Sequence, residues 1–152
     1  LAYVNDLLCL ESTASMFVTI FYGIFDTTTG ELEYANGGHN PPYILKADGS
    51  AQTLEMTDGI ALGVMEEMEY QMKKTTLQPG DGIFLYTDGV TEAFNAAGEM
   101  FTDQRLAQLL TGLNAQPIKD VVQNVFRNVS EFSTGIDQSD DITILAMRRT
   151  AE

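Results

Sequence analysis

The order in which hydrophobic patterns follow one another constrains the fold of this chain most strongly. Residues 16–87 form a series of short apolar or alternating runs that are typical of strands. Residues 103–113 and 118–132 instead repeat apolar side chains every three or four positions, as helices do, and residues 142–147 return to a strand pattern. Several strands, two helices and a last strand predict an α+β fold rather than alternating βαβ units.

Local patterns refine this prediction. Residues 16–25 are apolar at almost every position, which predicts a strand covered on both faces. Leu32 and Tyr34 alternate with polar residues and predict the second strand of a hairpin. Thr102 is expected to be the N-cap of the first of the two helices, and Pro117 to lie near the first position of the second.

Composition excludes some classes of function. The 152 residues contain 8 Lys and Arg against 22 Asp and Glu, which gives a net charge of −14. Such a chain is not expected to bind nucleic acid or an anionic membrane, because both need basic side chains. Without a signal peptide or a membrane-spanning stretch in the sequence, the expected location is the cytoplasm. The excess of carboxylates is compatible with binding divalent cations.

Three carboxylates are placed where chemistry is expected. Asp88 follows the apolar strand at 83–87, and Asp140 and Asp141 precede the strand at 142–147. If the two strands are antiparallel neighbours, the three side chains meet at one sheet edge, where they repel one another and a divalent cation would relieve the repulsion. All-oxygen ligation favours Mg²⁺ or Mn²⁺ over Zn²⁺.

Plainer interpretations of the same residues remain open at this point. Asp-Gly pairs occur four times, and most such pairs are turns. Asp140 and Asp141 are equally typical of a solvated strand entry. His39 is the sole histidine and lies in a Gly-Gly-His-Asn-Pro-Pro turn; a structural role in that loop is expected ahead of a role as general acid or ligand.

Five blocks in a fixed order add a resemblance to these patterns. They include Tyr-Ala-Asn-Gly-Gly-His-Asn-Pro-Pro at 34–42, Thr-Asp-Gly at 87–89 and Asp-Asp-Ile-Thr at 140–143, with further blocks at 16–23 and 77–81. Together they resemble the bacterial SpoIIE/RsbU-type branch of the PP2C-like (PPM) protein serine/threonine phosphatases. The resemblance covers nearly the whole chain. It implies a four-layer αββα sandwich of two antiparallel sheets flanked by helices.

The resemblance also implies a function. Such phosphatases hold a centre of two Mn²⁺ or Mg²⁺ ions, whose activated water attacks phosphoserine or phosphothreonine. Asp88 and Asp140 match metal ligands of the family, and Asp141 stands where relatives carry Asn or Asp. No catalytic residue beyond these metal ligands is implied. The implied partners are phosphorylated STAS-type anti-sigma-factor antagonists as substrates, and an upstream sensor or receiver domain.

One family motif is missing from this sequence. Relatives carry a first metal motif of the type Asp-x-Ser-Gly ahead of the segment at 16–23, and these residues contain none. Residues 1–152 are therefore expected to form a single PP2C-like domain that lacks its first metal motif. We expect the chain alone to bind Mn²⁺ weakly and to hydrolyse p-nitrophenyl phosphate poorly. The alternative is a catalytically incomplete, phosphatase-like module that binds a signalling partner.

Overall fold

A computed structural model describes residues 1–11 and 16–150 of the chain. In chain order, the described helices and strands are α1 (Ala2–Glu11), β1 (Ile20–Phe25), β2 (Glu31–Gly37), β3 (Tyr43–Leu45), β4 (Ala51–Thr53), β5 (Lys73–Thr76), β6 (Gly82–Tyr86), α2 (Thr102–Leu113), α3 (Ile118–Phe132) and β7 (Ile144–Arg148). The strands form two antiparallel sheets, so the predicted α+β class is confirmed. No helix in these two described ranges has the length and apolarity needed to cross a membrane.

The chain divides into two compact units, and the first comprises Leu1–Pro41 and Glu55–Leu77. Its sheet has the strand order β1-β2-β5. The β1–β2 hairpin pairs Phe25 with Leu32 across a turn in which Asp26 Oδ1 accepts hydrogen bonds from two backbone amides. Leu32 and Tyr34 are both buried, which confirms the predicted alternation of β2.

The prediction for residues 16–25 is wrong in two respects. The strand covers Ile20–Phe25 only, with Val18 in an isolated bridge to Leu62. Nor is it covered on both faces, because Tyr22 is 49% and Ile24 57% exposed. The physical reason is that Tyr22 and Ile24, two residues apart, share one face of β1, and this face is exposed. An apolar run reports the affinity of its side chains for a core, but not whether a neighbouring layer covers each face.

The second unit comprises Pro42–Leu54 and Gln78–Glu152, of which the last two residues lie outside the described range. Its sheet has the order β4-β3-β6-β7, and α2 and α3 pack on that sheet and on each other. Each helix buries a stripe of residues spaced by four. The fully buried members are Leu106 and Leu110 of α2 and Val121, Val125 and Val129 of α3. This spacing places them on one helical face, where they form a core with Phe84 and Tyr86 of β6.

The start of α2 differs from the prediction. Thr102 is the first residue of the helix rather than its N-cap, its φ is 70°, and no side chain caps the helix. Backbone hydrogen bonds to the preceding loop hold this end instead: Thr102 N donates to Thr91 O at 2.8 Å, and Phe101 N donates to Ala93 O at 2.9 Å. Pro117 immediately precedes α3, as predicted. The prediction of a single domain over residues 1–152 stays a prediction.

Candidate metal centre

The strand pair β6–β7 of the second unit brings the predicted acidic segments to one end of the sheet. β6 and β7 are antiparallel, with Tyr86 opposite Ile144 and Gly82 opposite Arg148. Asp88 lies two residues beyond the end of β6, and Asp141 lies three residues before the start of β7. The antiparallel pairing predicted from the sequence is therefore confirmed. It places the two acidic segments beside each other, although they are more than 50 residues apart in the chain.

The hydroxyl group of Thr87 joins the two segments. Thr87 Oγ1 donates a hydrogen bond to the carbonyl oxygen of Asp141 at 2.8 Å and accepts one from Thr143 N at 2.9 Å. The backbone continues the pairing, because Thr87 N donates to Thr143 O at 3.0 Å. Three hydrogen bonds thus hold Thr87, the residue before Asp88, against Asp141 and Thr143.

The close approach of the two segments requires glycine at position 89. A Cβ atom on Gly89 would lie 2.6 Å from Asp141 O and 3.0 Å from Asp140 O. Both neighbours are backbone atoms, which cannot rotate aside as a flexible side chain would. The glycine of the Thr-Asp-Gly motif is thus explained by the passage of the second acidic segment directly over it.

The carboxylates at this edge are exposed and bound only locally. Asp88 Oδ1 accepts a hydrogen bond from Gly89 N at 3.0 Å, and Asp140 Oδ1 accepts one from Asp141 N at 2.7 Å. No ion pair within the described residues involves Asp88, Asp140 or Asp141. Exposed carboxylate oxygens without a cationic partner are the donor type that Mg²⁺ and Mn²⁺ prefer.

The carboxylates are of the right chemical type to bind a divalent cation, but their side chains are not arranged as a complete set of ligands. Across residues 1–11 and 16–150, no group of three or more His, Cys, Asp and Glu side chains is arranged to hold a metal ion. The structure therefore brings together the backbone of all three predicted ligands, but not a cluster of three ligating side chains. A cation bound here through one or two carboxylates would keep water in its other positions, as Mg²⁺ commonly does.

His39 lies in the other compact unit. Its backbone N donates to Asn36 Oδ1 at 2.8 Å, its backbone O accepts from Asn36 Nδ2 at 2.8 Å, and its ring Nδ1 lies 3.2 Å from Asn40 O. Asn36 itself is buried. These contacts are what a structural role in the loop requires, and the role of the imidazole ring stays a prediction.

In the Thr-Asp-Gly motif, the sequence predicts a role for the aspartate alone. The structure adds Thr87, whose hydroxyl connects the two acidic segments, and Gly89, which allows them to approach. The available signal was the motif itself, because a small residue and a hydroxyl residue flank the acidic one. What they contact lies 50 or more residues away, so the sequence held no sign of their partners.

Comparisons with known proteins find relatives over nearly the whole chain. The family model for Stage II sporulation protein E (SpoIIE) matches residues 1–150. The chain is 34% identical over 146 residues to Protein IcfG of Synechocystis, with 95% of the chain and 23% of IcfG aligned. It is 29% identical over 137 residues to phosphoserine phosphatase RsbU of Bacillus subtilis, with 90% of the chain and 40% of RsbU aligned.

A solved structure gives the same answer for the fold. The RsbU and RsbW domains of a Mycobacterium tuberculosis protein match with a TM-score of 0.81 at 30% identity, covering 96% of this chain and 40% of that one. The predicted PP2C-like fold and the resemblance to the SpoIIE/RsbU branch are therefore confirmed. The chain spans less than half the length of each of these relatives.

Proposed function

This chain belongs to the SpoIIE family, and from that premise we propose that it acts as a metal-dependent protein phosphatase on phosphoserine or phosphothreonine. The observation that carries the proposal is the joining of the Asp88 and Asp140–Asp141 segments at one sheet edge by Thr87. The relative RsbU is named a phosphoserine phosphatase, which supports the substrate class.

Asp88 and Asp140 are the residues we assign to cation binding, with Asp141 as a further ligand. A bound Mn²⁺ or Mg²⁺ ion would neutralise phosphoryl oxygens and lower the pKa of a coordinated water molecule. The chain's own contribution is positional: Thr87 and Gly89 fix the backbone from which the carboxylates project. The overall reaction consumes one water molecule, breaks the bond between phosphorus and the seryl or threonyl oxygen, and releases phosphate and the free hydroxyl group.

The proposed partners follow from the same family. We propose a phosphorylated protein substrate, of which a STAS-domain anti-sigma-factor antagonist is the leading class, and an upstream sensor or receiver domain as regulator. A two-metal centre is proposed for the complete domain. The exposure of the carboxylates supports access by a protein substrate, because Asp88, Asp140 and Asp141 are all at the surface.

One observation favours a second candidate function. The described residues lack a cluster of three ligating side chains, and a centre with too few ligands holds its cation weakly. The second candidate is therefore a phosphatase-like module that binds a phosphoprotein without turnover. It shares the fold and the partner class with the first candidate and differs only in chemistry.

The experiment measures Mn²⁺-dependent phosphate release from a phosphoserine peptide and from p-nitrophenyl phosphate, with calorimetric titration of Mn²⁺ alongside. Asp88→Asn should abolish the release and weaken Mn²⁺ binding, because the variant lacks one ligand charge. Asp137→Asn is the matched control, since Asp137 is also exposed in the loop before Asp140 but has no assigned role. Binding of the phosphopeptide without any release would support the second candidate. Equal activity in Asp88→Asn and the unaltered chain would contradict the metal site.

A further inference from the structure

A cavity of about 320 Å³ opens in the second unit at the end of the sheet opposite Asp88. It is lined by the β3–β4 turn, the turn before β6, the loop between α2 and α3, and the end of β7. The pairing of Gly82 with Leu45 and Arg148 marks this as the start of β6, whereas Asp88 follows its end. The five residues of β6 separate the two ends by about 17 Å. The cavity is thus distinct from the acidic edge.

Two of the chain's few basic residues, Lys46 and Arg148, line this cavity. The Arg148 guanidinium is held by neutral oxygens only: Nη1 donates to Gln116 O at 2.6 Å, and Nη2 donates to Asn114 O at 2.7 Å and to Asn114 Oδ1 at 3.0 Å. Its Nε is buried, and no described group accepts from it. In a chain with 22 carboxylates, Arg148 forms no ion pair with any described one. A partly buried charge without a counterion is costly, which points to an anion from outside the chain.

The Lys46 ammonium supplies further donors. One of its three N–H groups donates to Asp81 Oδ2 at 2.9 Å. Asp81 is 2% exposed, and its oxygens also accept from Ala47 N at 2.9 Å and Gln78 N at 3.0 Å, so it has little capacity left. The Lys46 side chain is 31% exposed, and Asp81 is its one ion-pair partner among the described residues.

Several acceptors around the cavity are already used by the protein's own donors. Asp48 is the carboxylate in the lining, and its Oδ1 accepts from both Ser50 N at 2.8 Å and Ser50 Oγ at 2.7 Å. The carbonyl oxygens of Lys46 and Ser50 accept from Asn114 Nδ2 at 2.6 and 3.0 Å. The guanidinium of Arg148, which no described carboxylate pairs, is therefore the group that an acceptor with negative charge would complete.

We propose that this cavity binds a tetrahedral oxyanion of the size of inorganic phosphate, with Lys46 as direct donor and Arg148 as the source of the attracting charge. The volume admits such an ion with several water molecules, since one water molecule occupies about 30 Å³. The site does not depend on the proposed phosphatase function, because none of its residues belongs to the acidic edge.

The test titrates inorganic phosphate into the full chain in a buffer with EDTA, so that no cation can bring phosphate to the acidic edge. Calorimetry should show saturable binding of one phosphate per chain, and sulfate should compete because it has the same shape and a similar charge. In amide NMR spectra, the resonances of Ala47 and Ala115 should shift while that of Gly89 stays unchanged.

Ala115→Glu is the decisive variant. Ala115 is exposed on the cavity lining, so the added carboxylate leaves every native hydrogen bond in place and repels an incoming anion. Phosphate affinity should fall about tenfold or more, because like charges placed together oppose binding. Ala96→Glu adds the same charge at an exposed site in the 95–98 turn and should bind phosphate as the unaltered chain does. Absence of saturable binding, equal affinity in Ala115→Glu, or shifts centred on Gly89 would each overturn the proposal.

Discussion

Thr87 Oγ1 donates a 2.8 Å hydrogen bond to the carbonyl oxygen of Asp141, across a sequence separation of 54 residues. The same oxygen accepts from Thr143 N. One hydroxyl group therefore helps to hold the segment that carries Asp88 against the segment that carries Asp140 and Asp141. Because residues around ligating groups commonly set metal affinity, this contact can be tested separately from the carboxylates themselves.

Replacing Thr87 with valine removes the hydroxyl and keeps the shape of the side chain. Two hydrogen bonds are lost, and we expect the free energy of unfolding to fall by about 1–2 kcal/mol. Mn²⁺ affinity should fall about 10-fold or more, as for other groups that orient ligands. Urea unfolding and calorimetric Mn²⁺ titration measure the two effects. Thr87→Ser keeps the hydroxyl and should retain the Mn²⁺ affinity. If the serine variant loses as much affinity as the valine variant, the hydroxyl is not what positions the ligands.

Gly89→Ala should destabilise the protein by about 2 kcal/mol, because the new Cβ atom forces two backbone segments apart. The contacts that force the movement are those at 2.6 and 3.0 Å to Asp141 O and Asp140 O. Gly112→Ala in α2 is the matched control: its Cβ meets nothing within 4 Å, and alanine should stabilise the helix by about 0.5–1 kcal/mol. Opposite signs in thermal unfolding are the expected result, and a neutral Gly89→Ala would contradict the close approach.

Because of Asp81, the free energy of unfolding should vary with pH in the acid range. Burial alone would raise the pKa of its carboxyl group, but the hydrogen bonds from Lys46, Ala47 and Gln78 outweigh burial and hold the pKa below the usual 3.8. A folded-state pKa below the unfolded one gives stability that is present above pH 3.8 and is lost as pH falls through the folded value. The slope of stability against pH below about 4 should therefore become shallower in Asp81→Asn.

The same Asp81→Asn variant should lose about 2 kcal/mol of stability at pH 7, since it removes a buried carboxylate that accepts a charge-assisted hydrogen bond from the partly exposed Lys46. Asp48→Asn provides the comparison in the neighbouring turn, where the carboxylate is exposed and bonded only to Ser50. Only a small loss is expected there. Urea unfolding at several pH values measures both variants. Equal losses of unfolding free energy at the two positions would contradict the structural role assigned to Asp81.

Because of Tyr86, the free energy of unfolding should decline with pH in the alkaline range. Burial, followed by the hydrogen bond to Asp103, raises the pKa of its phenol well above the usual 10.0. Because the folded state keeps a proton that the unfolded state loses, this contribution is complete below pH 10 and declines as pH rises further. Tyr86→Phe should flatten the decline seen by urea unfolding between pH 9 and 11. Tyr34 and Tyr43, whose pKa values are also raised by burial, would retain part of it. If stability declines with pH equally in Tyr86→Phe and in the unaltered protein, the raised pKa of Tyr86 is not the cause of the decline.

Much of the architecture was predictable because its causes are local. The spacing of Leu106, Leu110 and the three valines of α3 indicates helices wherever these residues lie, and the alternation at Leu32 and Tyr34 indicates a strand. The predictions were wrong at positions where contacts with other parts of the chain determine the local structure. Thr102 resembles an N-cap, but backbone hydrogen bonds to Thr91 hold that end of the helix. Tyr22 resembles a core residue, but it lies on a face of β1 that is exposed.

The same distinction between local and long-range causes applies to the candidate site. The residue order is enough to predict that acidic residues flank two apolar strands, because that arrangement is a property of neighbours in the chain. The folded structure alone reveals that Thr87 holds Asp141, and that Lys46, Asn114 and Arg148 line one cavity, because the contacting pairs are 34 to 68 positions apart. Periodicity specifies which face of an element is apolar, whereas strand register and loop packing specify which distant donor meets which acceptor.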